Sequence, residues 1–235
     1  MAAVVLVHGS FLGPWSWRDV VADLTDSGIE CVVADLPSGH GGIRDAAGDL
    51  HDDAAQVREL LDAATEPVVL CGHSYGGAVI TEAAAAHPAV WKLVYLAGAM
   101  PDAGQSLADL APPPTVEPGA REAVRWRADG LLELTAESAR EALFHDCSPG
   151  RAEEAISLLR PSNPVIGGQG VRAAAWREVP ATFVRGSADR MPELVSGSVE
   201  WDGVEIVELP AGHCPNWSRP DLVAALLVDL AGSPR

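Results

Sequence analysis

Short apolar runs alternate along this chain with longer amphipathic stretches, and that alternation limits the fold more than any other feature. Ala3–Val7, Cys31–Ala34, Val68–Cys71, Leu93–Leu96, Thr182–Val184 and Glu205–Leu209 are rich in Val, Ile and Leu without a strict polar–apolar beat. Such runs suit strands buried on both faces. Between them, Trp15–Thr25, Asp45–Ala64 and Gly77–His87 space their apolar residues at helical intervals, and Leu222–Leu230 follows Pro220, a residue suited to a first helical turn. The pattern predicts an α/β fold: a doubly wound, mostly parallel sheet of about six strands with helices on both faces.

The rhythm breaks once. From Pro101 to about Trp176 no convincing strand is legible, and Ala111-Pro112-Pro113-Pro114 and Gly167-Gly168-Gln169-Gly170 bracket segments such as Leu131–Phe144 and Ala152–Leu159 that read as helices. A structureless loop of that length is improbable, so a helical insertion over the sheet is expected. The chain then divides into an α/β core of residues 1–100 and 176–235 and an insertion of residues 101–175. The insertion carries 11 acids and 7 bases, whereas the core holds 22 acids and 9 bases.

The whole chain has a formal net charge of −17. Such an excess repels phosphate backbones and anionic lipid, which excludes nucleic-acid and membrane-surface roles and reads as a solubility feature of the scaffold. No segment reaches the ~20 apolar residues that span a bilayer. Met1–Val7 reads as a first strand, not as a signal peptide, because the apolar run meets His8-Gly9 at once. Cys31, Cys71, Cys147 and Cys214 show no CxxC spacing, so reduced thiols, no metal and a cytoplasmic setting are expected.

Chemistry concentrates at Gly72-His73-Ser74-Tyr75-Gly76, a G-x-S-x-G sequence that a strand runs into and a helix leaves. A turn that tight strains the serine backbone, needs small neighbours, and holds the hydroxyl clear of the sheet over the positive end of the helix. A serine attacks only when a base removes its proton. The order Ser…acid…His that belongs to this architecture places the base beyond the last strand, where His213 stands in Ala211-Gly212-His213-Cys214-Pro215. The carboxylate that orients it is expected at a strand exit. Asp189, after the next-to-last strand, is preferred to Asp102, which opens the insertion. Developing negative charge needs donors. The N–H of Tyr75 is one, and the N–H of Ser10 in His8-Gly9-Ser10-Phe11 is the natural second.

At these residues the chain resembles the α/β-hydrolase superfamily, in particular its plant methyl-esterase and hydroxynitrile-lyase-like branch with bacterial relatives. The likeness rests on the opening His8-Gly9-Ser10-Phe11-Leu12-Gly13-Pro14-Trp15-Ser16-Trp17, on Gly72–Gly77, on Tyr95–Pro101 and on Gly212-His213-Cys214-Pro215. It covers nearly the whole chain and is weakest over residues 101–175, which would be the family's cap. It implies a catalytic triad at Ser74, Asp189 and His213, oxyanion donors at Ser10 and Tyr75, and no cofactor. The lyases of the branch usually carry threonine after the first histidine and lysine after the catalytic one. Gly9 and Cys214 stand there, which favours an esterase. Two departures are visible. The loop Pro37-Ser38-Gly39-His40-Gly41-Gly42 is one residue longer than the family's, and Met191–Asp202 is short enough that a helix there is trimmed.

Phe11, Tyr75 and Met100 at the base, with Trp126, Leu131, Phe144 and Trp176 in the insertion, are candidates to wall an apolar pocket; packing of the insertion on the core is the competing role. Trp15 and Trp17 read as core residues of the first helix. The expectation is a serine hydrolase acting on a small to medium, largely apolar carboxylic ester, a small-molecule substrate. The rivals are a lyase or ring-forming enzyme that uses the same triad as an acid–base device, and a non-catalytic ligand-binding protein. The sequence is silent on oligomeric state.

Overall fold

The computed structural model describes residues 1–40, 47–111, 123–199 and 201–232. Six parallel strands form the main sheet: β1 (Ala3–Val7), β2 (Cys31–Val33), β3 (Val68–His73), β4 (Val90–Leu96), β7 (Ala181–Gly186) and β8 (Val204–Leu209), in the order β2-β1-β3-β4-β7-β8. All six expected strands are present. Helices α1 (Arg18–Asp26), α2 (Leu50–Asp62), α3 (Gly76–Ala83) and α8 (Pro220–Gly232), the last preceded by the single-turn α7 (Pro215–Ser218), flank them. The expected first helix divides, because Pro14–Trp17 forms a 3-10 turn before α1. Of the expected helix Asp45–Ala64 and the loop Pro37–Gly42, residues 45, 46, 41 and 42 lie outside the described residues. Among the described residues no helix is long and apolar enough to cross a membrane.

Burial on both faces follows from the apolar runs. In β1, Val5 and Val7 join the cluster under α2 and α3, with Leu50, Val57, Tyr75, Val79 and Phe183. Val4 and Leu6 point the other way, to Trp17 of the 3-10 turn and to Val20, Leu24, Val223 and Leu227 of α1 and α8. Each such side chain removed from water contributes roughly 1.5–3 kcal/mol before entropy is charged against it.

The chain leaves β1 for β2 on one side and returns through β3 on the other, so the loops after β1 and β3 diverge. The register pairs Val7 with Gly72, which ends both strands at one level. A crevice between diverging loops at the carboxyl ends of a doubly wound sheet is where such folds bind ligands.

Residues 101–175 differ from the expected all-helical insertion. They contain α4 (Leu107–Leu110), an antiparallel hairpin of β5 (Val124–Trp126) and β6 (Leu132–Leu134), α5 (Ala136–Ser138) running into a wide turn at Ala139–Leu143, and α6 (Pro149–Ser157). The segment Leu131–Phe144 thus begins as a strand. The cause is local: Asp129-Gly130 turns the chain, Gly130 takes φ +82°, and the Asp129 carboxylate accepts the Leu131 N–H at 3.1 Å. The helix expected at Ala152–Leu159 is present as α6, begun by Pro149. Pro112, Pro113 and Pro114 lie outside the described residues.

Candidate active site

Ser74 sits where β3 becomes α3, with φ +52°, in the left-handed region that a non-glycine residue enters at a cost. Hydrogen bonds fix it there: its N–H donates to Leu96 O at 3.2 Å, and its carbonyl accepts from Gly77 N at 3.0 Å and Ala99 N at 2.9 Å. Close approach demands glycine nearby. A Cβ on Gly76 would stand 2.7 Å from the Val7 carbonyl oxygen, and one on Gly9 would stand 2.9 Å from Ser74 Cβ.

The loop after β8 delivers His213, buried with 5% exposure. Its Nε2 lies 3.0 Å from Ser74 Oγ and its Nδ1 2.9 Å from Asp189 Oδ2. Asp189 leaves β7 on a loop tied to the β8 loop by Ser187 N to Leu209 O at 2.9 Å and Ala188 N to Ala211 O at 3.0 Å. Its second oxygen accepts the Met191 N–H at 2.8 Å. Burial pushes this carboxyl up, but the bond to His213, its charge and the Met191 N–H outweigh that, and the net shift is downward. The described residues 191–199 contain no helix; instead Val195 pairs with Met100 in an isolated parallel bridge.

Asp102, the other acid weighed from the sequence, is engaged elsewhere. Its carboxylate accepts Arg177 Nε at 2.9 Å, Ser198 Oγ at 2.8 Å and Ala103 N at 2.8 Å. The Arg177 guanidinium above all holds it well below the usual carboxylate range. It forms no part of the Ser74–His213 chain.

Two further histidines frame the site in neutral form. Burial, and then the neighbouring His213, push the His73 pKa down to about 3. Its Nε2–H donates to the His213 carbonyl at 2.8 Å, and the two rings lie 5.3 Å apart. His8, pushed by burial to about 4, accepts the Leu36 N–H at Nε2 and donates from Nδ1 to Gly9 O at 2.9 Å. This fixes the carbonyl next to the Ser10 N–H. Tyr75 follows Ser74 and Ser10 follows Gly9, which packs against Ser74, and among the described residues neither N–H donates to a backbone carbonyl.

The pocket residues fare differently. Phe11, in the loop after β1, takes φ +62°, and its carbonyl accepts the Arg160 N–H at 2.8 Å. Met100, Leu131 and Phe144 are fully buried in protein packing, Phe144 between Leu12, Ala152, Cys214 and Trp217. Trp176 lies against the core and donates from Nε1 to Pro101 O at 2.7 Å. Trp126 is 68% exposed on β5, contrary to the expected place in a pocket wall, because its three-residue strand turns that side chain to solvent. Trp17 is a core residue as expected, and Trp15 packs edge-on against Trp217 at 5.1 Å.

Sequence reasoning missed Asp53 and Asp146. Asp146 Oδ2 accepts the Gly212 N–H at 2.6 Å, which ties the insertion to the His213 loop. Asp53 belongs to the acidic N-terminal stretch, yet it is completely buried and meets Ser38 and Tyr75.

The profile of the alpha/beta hydrolase family matches residues 4–226. A carbendazim-hydrolysing esterase from Nocardioides is 37% identical over 255 aligned positions, covering 98% of this chain and 100% of that protein. Among solved structures, a pyrethroid hydrolase from Sphingobium faniae superposes with a TM-score of 0.77 at 24% identity, over 99% of this chain and 98% of that one. A methylesterase from Arabidopsis gives 0.77 at 19% identity, over 99% of both chains.

Proposed function

Because the chain belongs to the alpha/beta hydrolase family, we propose that it is a serine carboxylesterase whose reaction runs through Ser74, His213 and Asp189. The observation that carries this reading is the continuous chain Asp189–His213–Ser74, with links of 2.9 and 3.0 Å, at the strained turn after β3. His213 Nε2 takes the Ser74 proton as Oγ attacks the ester carbonyl, while the Nδ1–H to Asp189 stabilises the imidazolium that forms. The N–H groups of Ser10 and Tyr75 hold the tetrahedral oxyanion. Collapse expels the alcohol, which receives the proton from His213, and leaves an acyl group on Ser74. Water, deprotonated by the same histidine, then releases the acid. The esterase and hydrolase relatives support ester cleavage, and the substrate expected from the sequence is a small to medium, largely apolar carboxylic ester. Residues 101–175 act as the cap over the site.

Ser74→Ala tests the proposal. The wild type is expected to hydrolyse p-nitrophenyl esters and to be labelled on Ser74 by a fluorophosphonate, and the variant to lose both by several orders of magnitude. A variant that kept wild-type turnover would end the reading.

A further inference from the structure

Asp53 is a carboxylate with no exposure on α2, outside the Ser74–His213–Asp189 chain. Removing such a group from water is expensive, and an apolar side chain of similar size would fill the space more cheaply. Its partners are what distinguish it. Oδ2 accepts the Tyr75 hydroxyl at 2.6 Å and the Ser38 hydroxyl at 2.5 Å, and Oδ1 accepts the Ser38 N–H at 2.9 Å. One carboxylate therefore joins three elements: α2, the turn after β2, and the residue that follows Ser74.

We infer that Asp53 is a positioning residue for the oxyanion-binding N–H of Tyr75, which it holds in place through the Tyr75 hydroxyl. The inference rests on the serine-esterase reading above. Tyr75 has its backbone at the positive-φ turn and its ring under α2 and α3, so its side chain is the lever by which the core can fix its N–H. Strained backbone of this kind persists only where its surroundings over-determine it. The backbone bonds of Ser74 hold the turn from the sheet side, and Asp53 holds it from the helix side. Ser38, clamped by the same carboxylate, accepts the Asn163 N–H of the insertion at 3.1 Å, so Asp53 also sets the turn on which the insertion rests.

The test uses Tyr75→Phe, which removes only the hydroxyl and leaves Asp53 both Ser38 donors, and Asp53→Asn. With p-nitrophenyl acetate, kcat is expected to fall about 10- to 100-fold in each, short of the loss of a whole donor, with KM within about twofold. The double variant should be no slower than the slower single one, because both act on the Asp53–Tyr75 contact. A trifluoromethyl ketone gives the readout that general loosening would not move. Ser74 Oγ adds to its carbonyl carbon and the proton goes to His213, leaving a hemiketal oxyanion in the same hole. Its affinity should weaken in step with kcat, while that of the matching alcohol stays constant. If Tyr75→Phe keeps kcat and ketone affinity within about twofold of an active wild type, the positioning role is refuted. If Asp53→Asn fails to fold, Tyr75→Phe decides alone. A wild type that neither turns over the ester nor binds the ketone refutes instead the esterase reading on which the inference rests.

Discussion

Replacing Asp189 by asparagine isolates what the carboxylate does, because the shape is kept and only the hydrogen-bonding pattern changes. In the wild type the two oxygens serve two donors: His213 Nδ1–H at 2.9 Å and Met191 N–H at 2.8 Å. Asparagine offers one oxygen and one NH2. The Met191 amide can only donate, whereas the imidazole can shift its proton, so the asparagine oxygen turns to Met191 and its NH2 to Nδ1. Nδ1 then accepts, Nε2 carries the hydrogen, and His213 presents Ser74 with a donor where a base is needed. Loss of the base and of the charge opposite the imidazolium should cost about 10⁴-fold in kcat, or roughly 5.5 kcal/mol of transition-state stabilisation. Steady-state hydrolysis of p-nitrophenyl acetate, normalised to folded protein by circular dichroism, reads this. By the same logic Asp189→Ala, which leaves Nδ1 free to stay protonated, should be no slower than Asp189→Asn. An asparagine variant within tenfold of wild type, or one clearly faster than the alanine variant, would refute the tautomer argument.

Three further outcomes are expected. Asp102→Asn should leave turnover within about twofold, since that carboxylate serves Arg177 and Ser198 instead of His213; an activity loss matching that of Asp189→Asn would reverse the assignment of the acid. Burial first of all lifts Asp53 from 3.8 to about 6, so the folded state holds its proton more tightly than the unfolded chain. Its contribution is then fully present below about pH 4 and is lost as pH rises through about 6, a change of roughly 3 kcal/mol. Urea titrations of wild type and Asp53→Asn across that window should show the variant gaining relative stability as pH rises, and a flat difference would contradict the shift. Phe144→Ala should destabilise by about 3–5 kcal/mol in the same assay, because it empties the contact among Leu12, Cys214 and Trp217; a cost under about 1 kcal/mol would mean that the cluster collapses around the gap.

What the sequence could reveal depended on how local the cause was. The Ser74 turn was legible because strand, serine and helix are contiguous and the two flanking glycines are forced by contact. Asp102 and Asp189 both follow strands; Asp189 is preferred for its place after the next-to-last strand, and the order β4-β7-β8 is what brings it beside the loop that carries His213. The hairpin of β5 and β6 escaped because its strands are three residues each, too short for a period of two to stand out, although Asp129-Gly130 marked its turn. Asp53 left a readable trace. It lies three residues after Leu50 and four before Val57, inside the apolar stripe of α2, where an acid is out of place unless something buried binds it. The pocket wall depends on how the insertion folds back, and no local pattern marks Trp126 as outward and Phe144 as inward.

The seam between insertion and core bears on how such proteins diversify. Arg160 N–H binds the Phe11 carbonyl, its guanidinium meets Asp35 at 2.5 Å, Ser162 pairs with Leu132 of the hairpin, and Asn163 reaches Ser38. Three residues thus stitch the hairpin to the loops after β1 and β2, and the first of those loops runs beside Ser74 through Gly9. A lid grafted from a relative across the nominal ends of the insertion would cut these stitches and leave the Ser10 loop without its outer brace. Exchange by recombination should therefore succeed where Arg160 to Asn163 travel with the recipient frame, so that the modular unit in this architecture is shorter than the insertion itself.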